Sequence, residues 1–141
     1  MERTQLVLAA LSVADLGIHT PVQLQKLFFL IDKEIPHLVG GPHFDFQAYN
    51  YGPFDQAVYR ELDKLALVEF VETVPQSTWS SYRLTQQGQK HGETYLMQMD
   101  EKAIAYIRKA SEFVRSLSFT QLVSAVYKAY PEMRENSVFQ H

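Results

Sequence analysis

The sequence predicts an α+β fold that is mostly helical: a winged-helix-like core with a small antiparallel β-hairpin, followed by C-terminal helices. Three observations predict it. "HTPVQLQKLFFLIDKEI" carries a full set of helix-start signals. "VEFVETV" and "TWSSYRL" are two strand-like runs around the turn Pro75-Gln76-Ser77. From Thr85 onward, capping residues and apolar positions at three- and four-residue spacing recur with no further strand signal.

Taken in order, the first helix should cover about Thr4 to Asp15. Val7, Ala10, Leu11 and Ala14 share one face, and Gly17 should close it. In the second, Thr20 is the N-cap, Pro21 the first helical residue and Gln23 the reciprocal capping-box partner. Leu24, Leu27, Phe28, Ile31 and Ile35 form its apolar stripe, and Pro36 stops it. "HLVGGPHF" reads as a loop. "FDFQAYNY" reads as a short strand, with Phe44, Phe46 and Ala48 on one face and Asp45, Gln47 and Tyr49 on the other. Gly52-Pro53 should break it. Asp55 then caps a helix whose Val58, Leu62 and Leu65 fall at i, i+4 and i+7. Val68–Val74 and Trp79–Leu84 form the antiparallel hairpin. Thr85 caps a helix to about Gln98, another spans about Glu101 to Ser116, and "SFTQ" (Ser118 to Gln121) opens a last one that ends before Pro131. This is the element order of a winged helix-turn-helix with a helical extension.

A chain of 141 residues is the size of one ordinary domain. We divide it into a core of about residues 1–98 and an extension of about 99–141. With 46% hydrophobic and 21% charged residues it is globular rather than disordered. The formal net charge of -3 provides no bulk attraction to nucleic acid or anionic lipid. Cysteine is absent, which excludes disulfides and thiolate chemistry and suits a reducing compartment. "MERTQLVLAALSV" lacks the basic start and long apolar run of a secretory signal, and no stretch approaches the roughly 20 apolar residues of a membrane span. A cytoplasmic location is expected. Ile104, Ile107, Val114, Leu122 and Val126 make an apolar seam that suits either the winged core or a second copy, so the oligomeric state stays open.

No catalytic residue is expected. His19, His37, His43, His91 and His141 include no HExxH and no i, i+4 pair, and Gly40-Gly41 belongs to no phosphate-loop motif. His37, His43 and Asp45 flank a glycine-rich loop, where solvent-facing histidines are far commoner than metal ligands. Neither metal nor cofactor is expected. For DNA, the reading helix would be Asp55 to Leu65, with Gln56 and Arg60 able to read bases and Tyr59 able to touch a backbone. Asp55, Glu61 and Asp63 cancel Arg60 and Lys64, and Glu69 and Glu72 outweigh Arg83 on the wing. Few phosphates would be neutralised, so nucleic-acid binding, if any, is expected to be weak.

The aromatic junction "YNYGPF" is the other candidate. Phe46 and Phe54 suit a core position, whereas Tyr49 and Tyr51 suit either a half-buried position or an interface. An extended segment ending in Gly-Pro also leaves backbone groups for a partner. We therefore read Tyr49, Tyr51, Gly52, Pro53 and Phe54, with Tyr59, Arg60 and Lys64 on the following helix, as a docking surface for a protein partner.

"LQKLFFLIDKE" (Leu24 to Glu34), followed some fifteen residues later by "YNYGPFDQAVYRELDKLALVEFV" (Tyr49 to Val71), resembles the Panacea domain of SocA-like antitoxins and the related YwgA-type bacterial proteins. Gln25-Lys26-Leu27, Tyr51-Gly52-Pro53 and Val58-Tyr59 carry the resemblance, and "VYKAYPEMRENS" (Val126 to Ser137) is similar to the YwgA-type tail. Phe28-Phe29 and Gly40-Gly41-Pro42 depart from the family pattern. The resemblance covers Thr20 to Val71 well and the rest loosely. It implies a compact, mostly helical, cytoplasmic protein of bacterial or phage origin, often encoded beside a toxin. Such a protein neutralises a partner by binding it or delivers it to a protease. Gln25, Lys26, Tyr51, Gly52 and Pro53 are the motif positions, with Gln25 and Lys26 expected to fasten the turn through hydrogen bonds.

Overall fold

The computed structural model describes residues 1–76 and 78–139; Ser77 of the expected turn and His141 lie outside the described residues. The fold is α+β and mostly helical, with two small antiparallel strand pairs. Its elements are α1 (Arg3–Ser12), α2 (Pro21–Glu34), the single turn α3 (Pro36–Val39), β1 (Gln47–Tyr49), β2 (Gly52–Phe54), α4 (Ala57–Leu67), β3 (Val71–Pro75), β4 (Ser80–Leu84), α5 (Gln86–Met97), α6 (Glu101–Ser116) and α7 (Phe119–Ala129). A 3-10 turn, Pro131–Arg134, follows α7. Among the described residues no helix is long and apolar enough to cross a membrane.

The capping signals act as expected. Thr20 Oγ1 accepts from the Gln23 N–H at 3.3 Å while Gln23 Oε1 accepts from the Thr20 N–H at 2.9 Å. The same reciprocal pair joins Ser118 and Gln121 at the start of α7, and Thr85 Oγ1 accepts from Gly88 N–H at 3.1 Å. Asp55 accepts from the Ala57 N–H at 2.9 Å, although the N-cap of α4 is one residue later than expected, at Gln56, which makes no side-chain cap.

α1, α2 and α4 lead into the β3–β4 hairpin. His19, between α1 and α2, bridges to Tyr82 of β4 through two backbone bonds of 2.9 Å. This is the winged-helix order with a third extended segment beside the wing. One hydrophobic cluster runs from Leu6 to Val126, and Ile107, Val114, Leu122 and Val126 all contribute to it. The C-terminal seam therefore covers the core of its own chain.

Four local expectations are corrected. β3 begins at Val71 rather than Val68, because α4 runs on to Leu67 and Glu69 reverses the chain at φ 63°. Gly17 does not carry the left-handed turn after α1; Asp15 and Leu16 do, at φ 49° and 66°. "HLVGGPHF" begins with the helical turn α3 rather than a loop. Gly52-Pro53 does not end a strand but forms the second strand of a hairpin, with Tyr49 opposite Gly52 and Ala48 opposite Pro53.

α2 is the centre of the fold. It touches α3, α4, α6, α7, β2 and β4, and every residue from Leu24 to Asp32 is buried. α1 is likewise buried from Leu6 to Ser12, because α5 lies against it through Gly92. The one-sided stripes expected for these helices understate how much of each is covered.

Candidate functional site

β1 and β2 close over the N-terminal half of α2. Asn50 and Tyr51 make the two-residue turn between the Tyr49–Gly52 pair. Gly52 adopts φ 108°, a region that side chains avoid. A Cβ there would also lie 3.3 Å from Lys26 Nζ and 3.5 Å from the Tyr127 ring. Conformation therefore requires glycine here, and the neighbouring Lys26 amine makes the space tight.

Gln25, fully buried, clasps the chain leaving the hairpin. Its Oε1 accepts from the Asp55 N–H at 2.9 Å and its Nε2 donates to the Asp55 carbonyl at 3.1 Å. One side chain thereby satisfies both backbone groups of a residue that has no strand partner. The expected fastening role holds for Gln25. It does not hold for Lys26, which has no hydrogen-bond or ion-pair partner among the described residues.

The hairpin is braced from its other side by the chain after α7. Asn136 Nδ2 donates to the Ala48 carbonyl at 3.1 Å, and the Val138 N–H donates to the Asn50 carbonyl at 2.9 Å. Tyr127 OH donates to Ser137 Oγ at 2.7 Å beneath them. The "YNYGPF" and "VYKAYPEMRENS" segments, far apart in sequence, are neighbours.

The aromatic side chains divide into support and surface. Phe46 is half-buried and meets Phe29 edge-on at 5.6 Å. Phe54 is half-buried between Tyr49 (5.2 Å between centroids) and Tyr59 (5.8 Å). Tyr49 and Tyr51 remain 52% and 44% exposed. Tyr51 lies 5.2 Å from Phe119, itself 45% exposed at the start of α7. Between these rings lies a cleft of about 280 Å³ lined by the hairpin, Pro21, Val22, Gln25, Lys26, Tyr59 and Phe119. A second, almost wholly apolar cleft of about 420 Å³ shares Pro21, Val22 and Phe119 and extends to Trp79.

Tyr59 is turned inward, between Phe54 and a stacked Tyr82 at 6.5 Å, so it does not project toward a backbone groove. Burial pushes its hydroxyl pKa up. Arg60 and Lys64 are exposed on α4 and do not line the cleft. Lys64 pairs with Glu61 at 3.2 Å, and Arg83 pairs with Glu72 at 2.6 Å. Glu61 is buried and also accepts from the Thr4 hydroxyl.

Among the loop residues, the His43 ring meets the Val39 carbonyl at 2.7 Å, and the His43 backbone N–H donates to Asp32 Oδ1 at 2.9 Å. His37 is exposed. The described residues contain no group of three or more His, Asp or Glu that could hold a metal ion.

Sequence reasoning missed Phe119 and the burial of Lys26. Phe119 follows the N-cap Ser118 and lies at i to Leu122, Val123 and Val126 at i+3, i+4 and i+7, so periodicity places it on the buried stripe and gives no sign that it stays exposed. Lys26 gives no sign of its burial, since it lies off the apolar stripe of α2. No protein-family model and no curated protein matches the chain.

Proposed function

We propose that this chain is a non-enzymatic protein-binding module whose docking face is the β1–β2 hairpin and the adjoining rings. The observation that carries the reading is the row of exposed aromatics Tyr49, Tyr51, Phe119 and Trp79 along two adjoining clefts. Tyr49 rests on Phe54 and Tyr51 on Phe119, so both rings are held before a partner arrives. Rigid aromatics give large contact area at small entropic cost and dominate interface energetics. Arg60, Asp63 and Lys64 are exposed on α4 beyond the cleft, a mixed-charge surface that suits the polar periphery of an interface. The resemblance to Panacea-type proteins supplies the biological form: a cytoplasmic antitoxin, or an adaptor that neutralises or delivers its partner.

The test is binding to the purified partner, identified by capture from cells that encode both. Replacing Tyr49 and Tyr51 together with alanine should weaken binding by about 2 kcal/mol, roughly thirtyfold, at unchanged fold. A double variant that unfolds, or binds as tightly as the parent, overturns the reading.

The alternative is a winged-helix DNA-binding regulator, and the element order favours it. Its electrostatics do not. Lys64 and Arg83 are each held by a carboxylate, which leaves few cations on α4 and the wing to displace counterions.

A further inference from the structure

Lys26 is 3% exposed and lines the hairpin cleft, yet nothing among the described residues accepts a hydrogen bond from its ammonium. A largely buried ammonium with no counter-charge is costly, and the cost grows toward several kcal/mol as burial becomes complete. Folded proteins rarely keep such a group without a use for it. The other described residues that line the cleft are uncharged; Arg134 lies 5.5 Å from the ring of the adjoining Tyr127. α2 contributes Gln25, whose amide is spent on Asp55; α4 contributes Tyr59; the hairpin contributes Tyr49 and Tyr51; α7 contributes Tyr127 and Phe119. Asp55, beyond Gln25, directs its carboxylate to the N–H groups of Asp45 and Ala57. Among the described residues the cleft is therefore lined by apolar and aromatic groups with Lys26 as its one cation.

That composition selects its guest. One lysine is a point charge with no bidentate fork, so it balances a monoanion and leaves a phosphate dianion half neutralised. The volume of about 280 Å³ accommodates one side chain rather than a peptide segment. The exposed rings of Tyr49 and Tyr51 stand at the same cleft.

We propose that the cleft is a carboxylate receptor, in which an Asp or Glu side chain of the docking protein pairs with Lys26 Nζ beneath Gly52. This rests on the docking reading and names the chemistry of its anchor. Burial holds the Lys26 pKa down at about 7, so the free protein is only partly protonated there at neutral pH. Pairing with a carboxylate favours the charged amine, and binding takes up a proton.

The experiment follows Lys26 by NMR in protein labelled at lysine Cε. The probes are a capped pentapeptide with one central Asp, the same peptide with Asn, and phenylacetate as a free carboxylate. At about pH 6.5 the Asp peptide should bind at least tenfold more tightly than the Asn peptide and raise the Lys26 pKa. The preference should shrink by about pH 9 and vanish in Lys26→Met, which removes the charge but keeps an apolar stem. Equal binding of both peptides overturns the carboxylate receptor and leaves the docking face standing. Binding of phenylacetate alone overturns the protein source. No change in Lys26 titration with any probe at millimolar concentration overturns the proposal. Failure of docking is read separately, from the tyrosine double variant against the intact partner.

Discussion

Lys26 and His19 are ionisable groups that the fold keeps from water, and each makes stability depend on pH. Lys26 titrates at about 7 in the folded chain against 10.5 when exposed, and desolvation is the cause. Between those values the unfolded chain holds more protons, so stability rises with pH from about 7 toward 10. At roughly 1.4 kcal/mol per pKa unit the rise is about 3–5 kcal/mol. Lys26→Met should be more stable than the parent at neutral pH, and the gap should close by about pH 10. Urea midpoints across that range measure it. His19 titrates at about 3 rather than 6.5, lowered first by burial and then by the charge of Arg115. Both ring nitrogens lack partners among the described residues. As pH falls from 6.5 toward 3 the unfolded chain takes up the proton first, so stability is lost on the acid side. His19→Phe should flatten that limb. Above pH 10 the sign reverses, because burial raises the hydroxyls of Tyr59, Tyr82 and Tyr106, the last to about 12. Tyr130, which donates to Glu34 at 2.6 Å, is raised further.

Individual helices owe their placement to a few close approaches. α5 lies against its neighbours because Gly88 and Gly92 let backbone come near. A Cβ on Gly88 would lie 1.9 Å from the Phe70 carbonyl oxygen, and one on Gly92 would lie 2.4 Å from that of Leu8. Neither obstacle is a movable side-chain end. Gly92→Ala should therefore destabilise by about 1–3 kcal/mol although alanine is the better helix former, a reversal that denaturant unfolding would show. The start of α2 depends instead on its cap. Thr20→Ala removes the acceptor for the Gln23 N–H and should cost about 1 kcal/mol, with Thr20→Ser retaining most of it. Both effects were differently legible. The cap is a local pattern visible in four residues, whereas the tolerance for glycine in α5 depends on a helix some eighty residues earlier.

For the molecule as a whole, charge and element order point in different directions. The order α1, α2, α4, β3, β4 is that of a winged helix, which on many proteins grips a duplex. Here the formal net charge is -3, and the cations Lys64 and Arg83 are already paired. A mobility-shift assay at about 150 mM salt should show no nanomolar, sequence-selective retention of duplex DNA. Nanomolar binding lost on Arg60→Ala would put the regulator first. The C-terminal third does more than extend this core. α6 and α7 cover α2, and residues 136–138 hold the hairpin that bears the exposed tyrosines.

Local rules settled much of this chain. The capping boxes at Thr20 and Ser118, the Thr85 cap and the β3–β4 hairpin all rest on groups a few residues apart, so sequence alone determines them; the alternation in "FDFQAY" holds in burial, but the strand itself begins only at Gln47. The same rules misplaced the ends of α1 and β3, where Asp15, Leu16 and Glu69 adopt left-handed turns that their residue types do not announce. Gln25 and Lys26 lie off the apolar stripe of α2, and a helical repeat identifies an apolar side but cannot say whether the other is also covered. Gln25 and Lys26 are inside because β2, α4 and α7 close around α2, and Tyr127 and Phe119 reach them from about a hundred residues further along. Burial is a property of what surrounds a side chain, and only the tertiary structure decides which distant elements those are.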